Sequence, residues 1–176
     1  TAGDGNDITL TDVTPVPSSG GGSGGGDRTI RGTSGADTLI GGSDNDTISG
    51  FGGNDVISGS TGNDILYAGT GDDLVYGNQN EDSIYAEDGN DTVFGGQDAD
   101  LISGGAGDDQ LWGNKGSDIL YGGTGDDILY GNQNDDQLYG SQGNDTLYRG
   151  DIRRHRDRPH PHRRRRHRLP HRSLEH

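Results

Sequence analysis

The segment GGAGDDQLWGNKGSDILYGGTGDDILY (residues 104–130) consists of three nine-residue units placed end to end. Each unit has Asp at its sixth position and Leu at its eighth. The unit continues in both directions: thirteen Asp residues follow one another at a spacing of nine, and an aliphatic residue stands two positions after each of them. Repetition of this kind predicts a solenoid, in which every unit buries its apolar side chain against the next.

The composition of the chain rules out a thick hydrophobic core. Hydrophobic residues make up 25% of the 176 residues, Gly supplies 35, and Cys is absent. Such a composition alone is typical of a disordered acidic chain, but a disordered chain has no reason to keep Asp and aliphatic residues in phase. Without Cys the fold has no disulfide framework. The sequence has no apolar run long enough to form a transmembrane segment.

Charge divides the chain into unlike parts. Residues 1–150 carry 26 acidic and four basic residues, whereas residues 151–176 carry ten Arg, all six His and three acidic residues. We predict three segments: an N-terminal extension with a Gly/Ser linker (1–27), a roll of thirteen nonapeptides (28–148), and an Arg/His-rich tail that is disordered or foreign to the repeat protein (149–176). An acidic excess of this size either keeps a chain expanded or attracts cations.

The turns of the repeat come in two kinds. Two positions before the repeating Asp stands Gly in nine nonapeptides, and the other four have Asp44, Asn80, Asp98 and Asn134. After Gly, Asn and Asp tolerate a positive φ best, so this position is predicted to have a left-handed backbone. The four exceptions lie multiples of eighteen residues apart. Two nonapeptides therefore form one structural unit, a coil.

The sequence predicts an all-β parallel β-roll with eighteen residues, two short strands and two turns in each coil. Side chains alternate across a strand, so the aliphatic residues point inward and form a core one side chain thick. Stacked coils place the repeating Asp residues in two columns. The odd column contains Asp37, Asp55, Asp73, Asp91, Asp109, Asp127 and Asp145. The even column contains Asp46, Asp64, Asp82, Asp100, Asp118 and Asp136.

The two columns predict calcium sites. Carboxylates about 4.8 Å apart repel by roughly 1 kcal/mol per pair in water and more at a lower dielectric constant. Calcium binds oxygen at about 2.3–2.6 Å, so one ion can span two stacked carboxylates while backbone carbonyls complete its shell; magnesium prefers shorter distances. Zinc is disfavoured because the repeats contain neither Cys nor His. The gaps within the columns allow up to about eleven sites, with folding and binding as one event.

The nonapeptides GGTGDDILY (122–130) and GGAGDDQLW (104–112) resemble the RTX, or haemolysin-type, calcium-binding repeat. The resemblance covers residues 32–148 and implies a right-handed parallel β-roll with calcium in its turns. It also implies a secreted bacterial parent protein, located outside the cell or on its surface and exported by a type I system. The expected function is that of a calcium-induced folding module. The pattern departs from the family at Arg149, where a small residue is expected and the Arg-rich tail begins.

Aromatic residues at the last position of nine nonapeptides leave a second function open. They could form a stacking platform for an anionic polysaccharide, as in the R-type modules of alginate epimerases, or serve in cell-surface adhesion. The alternative, which we favour, is a ladder that stabilises neighbouring strands. The residues are Tyr67, Tyr76, Tyr85, Phe94, Trp112, Tyr121, Tyr130, Tyr139 and Tyr148. Open sheet edges at the coil ends also predict end-to-end self-association.

No catalytic residue is predicted, and we expect the chain not to be an enzyme. The repeats contain no His and no Cys, and no Ser lies in a nucleophile motif. Acid catalysis needs carboxylates in unlike environments, which a regular repeat does not supply. The tail could bind a polyanion, or a metal through His160 and His162. We favour a tail without a specific nucleic-acid partner, because no aromatic residue interleaves its Arg residues.

Overall fold

The computed structural model describes residues 14–15 and 26–150, and this part of the chain consists of short strands joined by turns. The predicted Gly/Ser linker and the Arg/His-rich tail lie almost entirely outside these residues. The strands are β1 (Thr14–Pro15), β2 (Arg28–Arg31), β3 (Thr38–Gly42), β4 (Thr47–Gly52), β5 (Val56–Thr61), β6 (Ile65–Thr70), β7 (Leu74–Gln79), β8 (Ser83–Asp88), β9 (Thr92–Gln97), β10 (Leu101–Ala106), β11 (Gln110–Lys115), β12 (Ile119–Thr124), β13 (Ile128–Gln133), β14 (Gln137–Gln142) and β15 (Thr146–Tyr148).

The strands alternate between two parallel sheets, which confirms the predicted β-roll. The even-numbered strands form one sheet in the order β2-β4-β6-β8-β10-β12-β14. The odd-numbered strands form the other in the order β3-β5-β7-β9-β11-β13-β15. Pairing joins residues eighteen apart, as in Leu111 with Leu129 and Ile102 with Leu120. The one antiparallel pair in the described residues is β1 with β2, at the outer edge of the first coil. A coil of two strands and two turns is thus the unit of the structure.

Strand alternation builds the core. Each aliphatic residue of the repeat points inward, and those from Ile48 to Leu129 are 0% exposed. The core also contains Ala68 and Ala86, which replace inward-facing Gly residues. At the C-terminal end Leu147 is 41% exposed because the described residues place no coil beyond it. This open end is where the predicted end-to-end association would occur, and that association stays a prediction.

The predicted left-handed turn position is present in all turns from Gly53 onward, including those with Asn80 (φ 75°), Asp98 (φ 71°) and Asn134 (φ 80°). The prediction was wrong for the first two turns, because neither Gly35 nor Asp44 has a positive φ. These turns belong to the first coils, where fewer neighbouring layers impose the repeat geometry. Most of the short strands have six residues and continue past the inward-facing Gly.

A second left-handed position, which the sequence analysis did not predict, lies four residues before the repeating Asp. It is occupied by Gly or Asn in most coils but also by Phe51 (φ 75°), Ser60 (φ 85°), Glu87 (φ 79°) and Ser141 (φ 81°). A side chain with Cβ in this conformation costs roughly 1–2 kcal/mol. These four residues are therefore strained, and stacking on the neighbouring coils holds their backbone in place.

Replacing Glu87 by Gly should stabilise the calcium-loaded roll. The change removes the left-handed strain, which outweighs the greater freedom of Gly in the unfolded chain, so the free energy of unfolding should rise by about 0.5–1 kcal/mol. Urea unfolding in excess calcium measures it. Glu81→Gly is the matched control, because Glu81 loses the same charge but has no positive φ. If both variants were equally destabilised, the strain at Glu87 would be refuted.

The aromatic residues form ladders on the outer faces of both sheets, and their ring faces lie against one another. On the odd-numbered strands Tyr76, Phe94, Trp112, Tyr130 and Tyr148 are stacked without a break, with centroids 4.7–5.3 Å apart. On the other sheet Ser103 separates the pair Tyr67–Tyr85 from the pair Tyr121–Tyr139. Stacking of this kind stabilises neighbouring strands directly. A carbohydrate approaching the long ladder would meet ring edges, except at its two ends.

Within residues 14–15 and 26–150 there is no helix with the length and apolar character needed to cross a bilayer.

Candidate metal centre

The repeating Asp residues lie inside the turns. Each directly precedes a strand and lies two positions before an inward-pointing aliphatic residue. Side chains two positions apart along a strand lie on the same face, so the Asp side chain also points inward. Twelve of the thirteen, from Asp37 to Asp136, are at most 8% exposed, and Asp145 in the last turn is partly exposed. The structure therefore brings all the predicted metal-binding residues into two columns.

One oxygen of each carboxylate forms an inner ladder along the column. The backbone N–H of one Asp donates to Oδ1 of the Asp in the next coil, as from Asp82 to Asp100 and from Asp91 to Asp109, at 2.9 and 2.8 Å. Eleven such bonds are present, with lengths of 2.6–3.1 Å. They join the same eleven neighbouring pairs in which the sequence predicted calcium. The ladder fixes each carboxylate and leaves its second oxygen for another partner.

The second oxygen, Oδ2, is buried without a hydrogen bond in ten of the columns' residues. An ionised carboxylate oxygen in that state is costly unless a cation compensates it. The ten residues are Asp46, Asp55, Asp64, Asp73, Asp82, Asp91, Asp100, Asp109, Asp118 and Asp127. A repeated buried oxygen without a donor is the clearest sign in this structure of a group that binds here.

Beside each Oδ2 the turn has Gly in most coils, which leaves space there. A Cβ atom at Gly104 would overlap Oδ2 of Asp109 and lie 2.7 Å from the carbonyl oxygen of Gly122 in the next coil. Carboxylate and carbonyl oxygens of successive coils thus converge on the same space, and both are ligands that calcium accepts. Ala68 and Ala86 place a methyl group at the equivalent position. The oxygen cradle is therefore open in most coils and narrowed in two.

Burial makes the columns hard to ionise in the absence of a cation. It raises the pKa of Asp100 to about 8 and the pKa of Asp82, Asp91 and Asp109 to about 7. The donated backbone N–H lowers the pKa of each, and the neighbouring carboxylate raises it again. Burial is also the main cause that raises the pKa values of Asp64, Asp73 and Asp118 to about 6. The pKa shifts increase toward the middle of the roll, where burial of the carboxylates is greatest.

A second, outer ladder borders the odd column, and sequence reasoning missed it. The residue just before each odd-column Asp is Asn or Asp from residue 54 onward, and its Oδ1 accepts the backbone N–H of its counterpart in the next coil. The bonds from Asn90 to Asp72 and from Asp108 to Asn90 are 2.9 and 2.8 Å long. The full series is Asn54, Asp72, Asn90, Asp108, Asp126 and Asn144. Its eighteen-residue spacing was the available signal.

The even edge is different. There the corresponding residues include Glu81, Ala99 and Ser117, so the outer ladder stops after the bond from Asn63 to Asn45. A groove of about 450 Å³ follows this edge and is lined by Asp64, Asp82 and Asp100, among others. The two columns are thus chemically similar inside but unequal at the surface.

Protein cations do not balance these charges in the described part of the chain. Residues 26–150 contain Arg28, Arg31, Lys115 and Arg149 as their basic residues, and Arg28 alone is seen to pair with a column Asp. No group of three or more His, Cys, Asp or Glu side chains converges within residues 26–150. A metal site must therefore combine two stacked carboxylates with backbone carbonyls, and calcium accepts that oxygen set.

The orphaned Oδ2 atoms and the oxygen cradles fit calcium. Two successive Asp residues of one column would hold each ion, together with carbonyl oxygens of the Gly-rich turns. The number of sites that fill stays a prediction. His160 and His162, the metal-binding residues considered in the tail, lie outside the described residues.

Comparison with protein families agrees with this geometry. The family model of the RTX calcium-binding nonapeptide repeat (4 copies) matches residues 21–50, 31–66, 49–84, 76–111, 85–120 and 112–147. No curated protein matches the chain. Because the matches extend from residue 21 to residue 147, the chain belongs to the RTX calcium-binding repeat family.

Proposed function

We propose that this chain is a calcium-responsive folding module of a secreted bacterial protein, exported through a type I system. It remains unfolded where calcium is scarce and folds into the roll where calcium is abundant. The observation that carries the proposal is the set of ten buried Oδ2 atoms without donors. They oppose folding until a cation binds between the coils, because each site exists only after two coils have stacked.

The same features suit export as an unfolded chain. The core is one side chain thick, and the chain contains no Cys that could cross-link before passage. Extracellular calcium modules typically bind calcium in the range of about 0.1–1 mM. Limited proteolysis tests this part: we expect digestion at submicromolar calcium and protection at millimolar calcium. Resistance to digestion at both calcium concentrations would contradict the proposed export as an unfolded chain.

Calcium titration of the chelated protein tests the central proposal. Far-UV circular dichroism should change cooperatively from coil to strand, because each ion stabilises two neighbouring coils. Magnesium at the same ionic strength is the control and should have little effect, since its shorter metal–oxygen distance suits this spacing poorly. A strand spectrum in chelator at neutral pH, or an equal response to magnesium, would contradict the proposal.

We further propose that the module has no catalytic activity of its own. The column Asp residues repeat in nearly identical surroundings, whereas acid–base catalysis needs unlike pKa values in one place. A polysaccharide-binding or adhesive role is less well supported, because the stacked rings of the long ladder cover one another's faces. Trp112 fluorescence with an anionic glycan in calcium buffer tests that alternative, and a saturable change would favour it.

A further inference from the structure

Arg28 occupies the position of a column Asp. It lies eighteen residues before Asp46, at the start of β2, where each later coil of the even column has Asp. The surrounding backbone follows the repeat, since Thr29, Ile30 and Arg31 pair in register with the strand of the next coil. Ile30 packs partly buried against the core. The first coil therefore has the geometry of the roll but a cation in place of a carboxylate.

The contacts of Arg28 repeat those of the Asp that it replaces. Its backbone N–H donates to Oδ1 of Asp46 at 2.8 Å, which continues the inner ladder. Its Nε lies 3.9 Å from the same oxygen, with the Asp46 side chain 0% and the Arg28 side chain 34% exposed. A Cβ atom at Gly42 would overlap the guanidinium, which therefore lies against the turn that leads to Asp46. The positive charge is located between the first two even turns.

At the N-terminal end of the odd column, groups of the protein also bind the first Asp. Oδ2 of Asp37 accepts hydrogen bonds from the backbone N–H and the hydroxyl of Thr33, at 2.5 and 2.9 Å. Asp37 is the first residue of its column, as Asp46 is of the other. At the N-terminal end the first Asp of each column thus has a polar partner supplied by the protein, at Oδ2 of Asp37 and at Oδ1 of Asp46.

We propose that the Arg28 guanidinium replaces calcium in the first inter-turn position of the even column, so that the first two coils stack there without an ion. This inference rests on the proposed calcium response. A fixed positive charge offsets the buried Asp46 carboxylate before any ion binds, whereas each later layer needs its own ion.

Substitution of Arg28 tests the proposal through calcium stoichiometry and the folding midpoint. Arg28→Gln should raise the calcium concentration at half folding by about two- to fivefold, the effect expected from a partly exposed ion pair. Arg28→Asp should restore an acidic pair with Asp46 and increase the number of bound calcium ions by one in native mass spectrometry. Circular dichroism measures the midpoints.

Arg31 supplies the matched controls. It is three residues away, is exposed, and lies over the Phe51 ring instead of the Asp column. Arg31→Gln and Arg31→Asp should leave the stoichiometry and the midpoint near those of the unchanged protein. If Arg28→Asp bound no additional calcium, or if the Arg31 variants had the same effects, the role of Arg28 would be refuted. Failure of the unchanged protein to fold with calcium would instead refute the proposed function.

Discussion

Acidification should fold the roll in the absence of calcium. Burial raises the pKa of seven carboxylates in the middle of the columns from about 3.8 to about 6–8 in the folded state. The folded roll therefore binds protons more tightly than the unfolded chain. Its calcium-free stability is greatest below about pH 4 and is lost as the pH rises through the folded-state pKa values toward about 8. Protons thus replace calcium by neutralising the buried charges.

The measurement is circular dichroism of metal-free protein as the pH falls from about 8 toward about 4. With excess calcium the dependence reverses, because protons compete with calcium for the same oxygens, so the calcium midpoint should rise as the pH falls. The chain has a pI near 4.4, so light scattering must show that the acid form stays monomeric. A coil spectrum throughout the acid range would show that the buried carboxylates do not control folding.

Replacing Asp100 by Asn should have opposite effects with and without calcium. Oδ1 of Asp100 accepts the N–H of Asp82, and its own N–H donates to Asp118, so it belongs to two inter-turn positions. Asn keeps the shape and one acceptor but removes the charge that calcium needs. We expect the calcium midpoint to rise about tenfold or more and the number of bound ions to fall by about two. Without calcium the variant should be more stable, because it no longer buries a carboxylate.

Asp98→Asn is the matched control. Asp98 is exposed, lies two residues earlier in the same turn, and has a φ of 71°, which Asn tolerates. It loses the same charge without touching the inner ladder, so the calcium midpoint should change by less than about twofold. Isothermal titration calorimetry gives the stoichiometry, and acid titration gives the calcium-free stability. Equal effects of both substitutions would mean that net charge, and not the column, determines calcium binding.

The main features of the roll could be predicted because they repeat. Residues such as Asp100 and Ile102 recur with a fixed spacing, and that spacing specifies the coil length, the inward faces and the two columns. Features carried by variable residues could not be predicted. Phe51 and Glu87 gave no sign of a left-handed backbone, because the stacked layers and not their own preferences impose it. The outer ladder was missed because Asn54 and Asp72 look like interchangeable turn residues until the coils are stacked.

The ends of the roll were also beyond prediction, for a different reason. The first two turns lack the left-handed residue, and β1 joins β2 in the antiparallel sense. Predicting structure from a repeat requires that each layer has equivalent neighbours on both sides. The terminal layers have a neighbouring coil on one side only. The contact between Arg28 and Asp46 was likewise visible only in three dimensions, although the sequence placed Arg28 in the Asp position.

The unequal edges of the roll constrain how such a gene can change in length. Duplicating or deleting eighteen residues adds or removes one complete layer, and the bonds above and below it are restored by equivalent partners. Duplicating or deleting nine residues would instead move every later strand to the opposite sheet. Glu81, Ala99 and Ser117 would then follow Asn54 at the positions of the outer ladder. The carboxamide and carboxylate acceptors of that ladder would be interrupted. Length variants that remain well folded should therefore differ by whole double repeats.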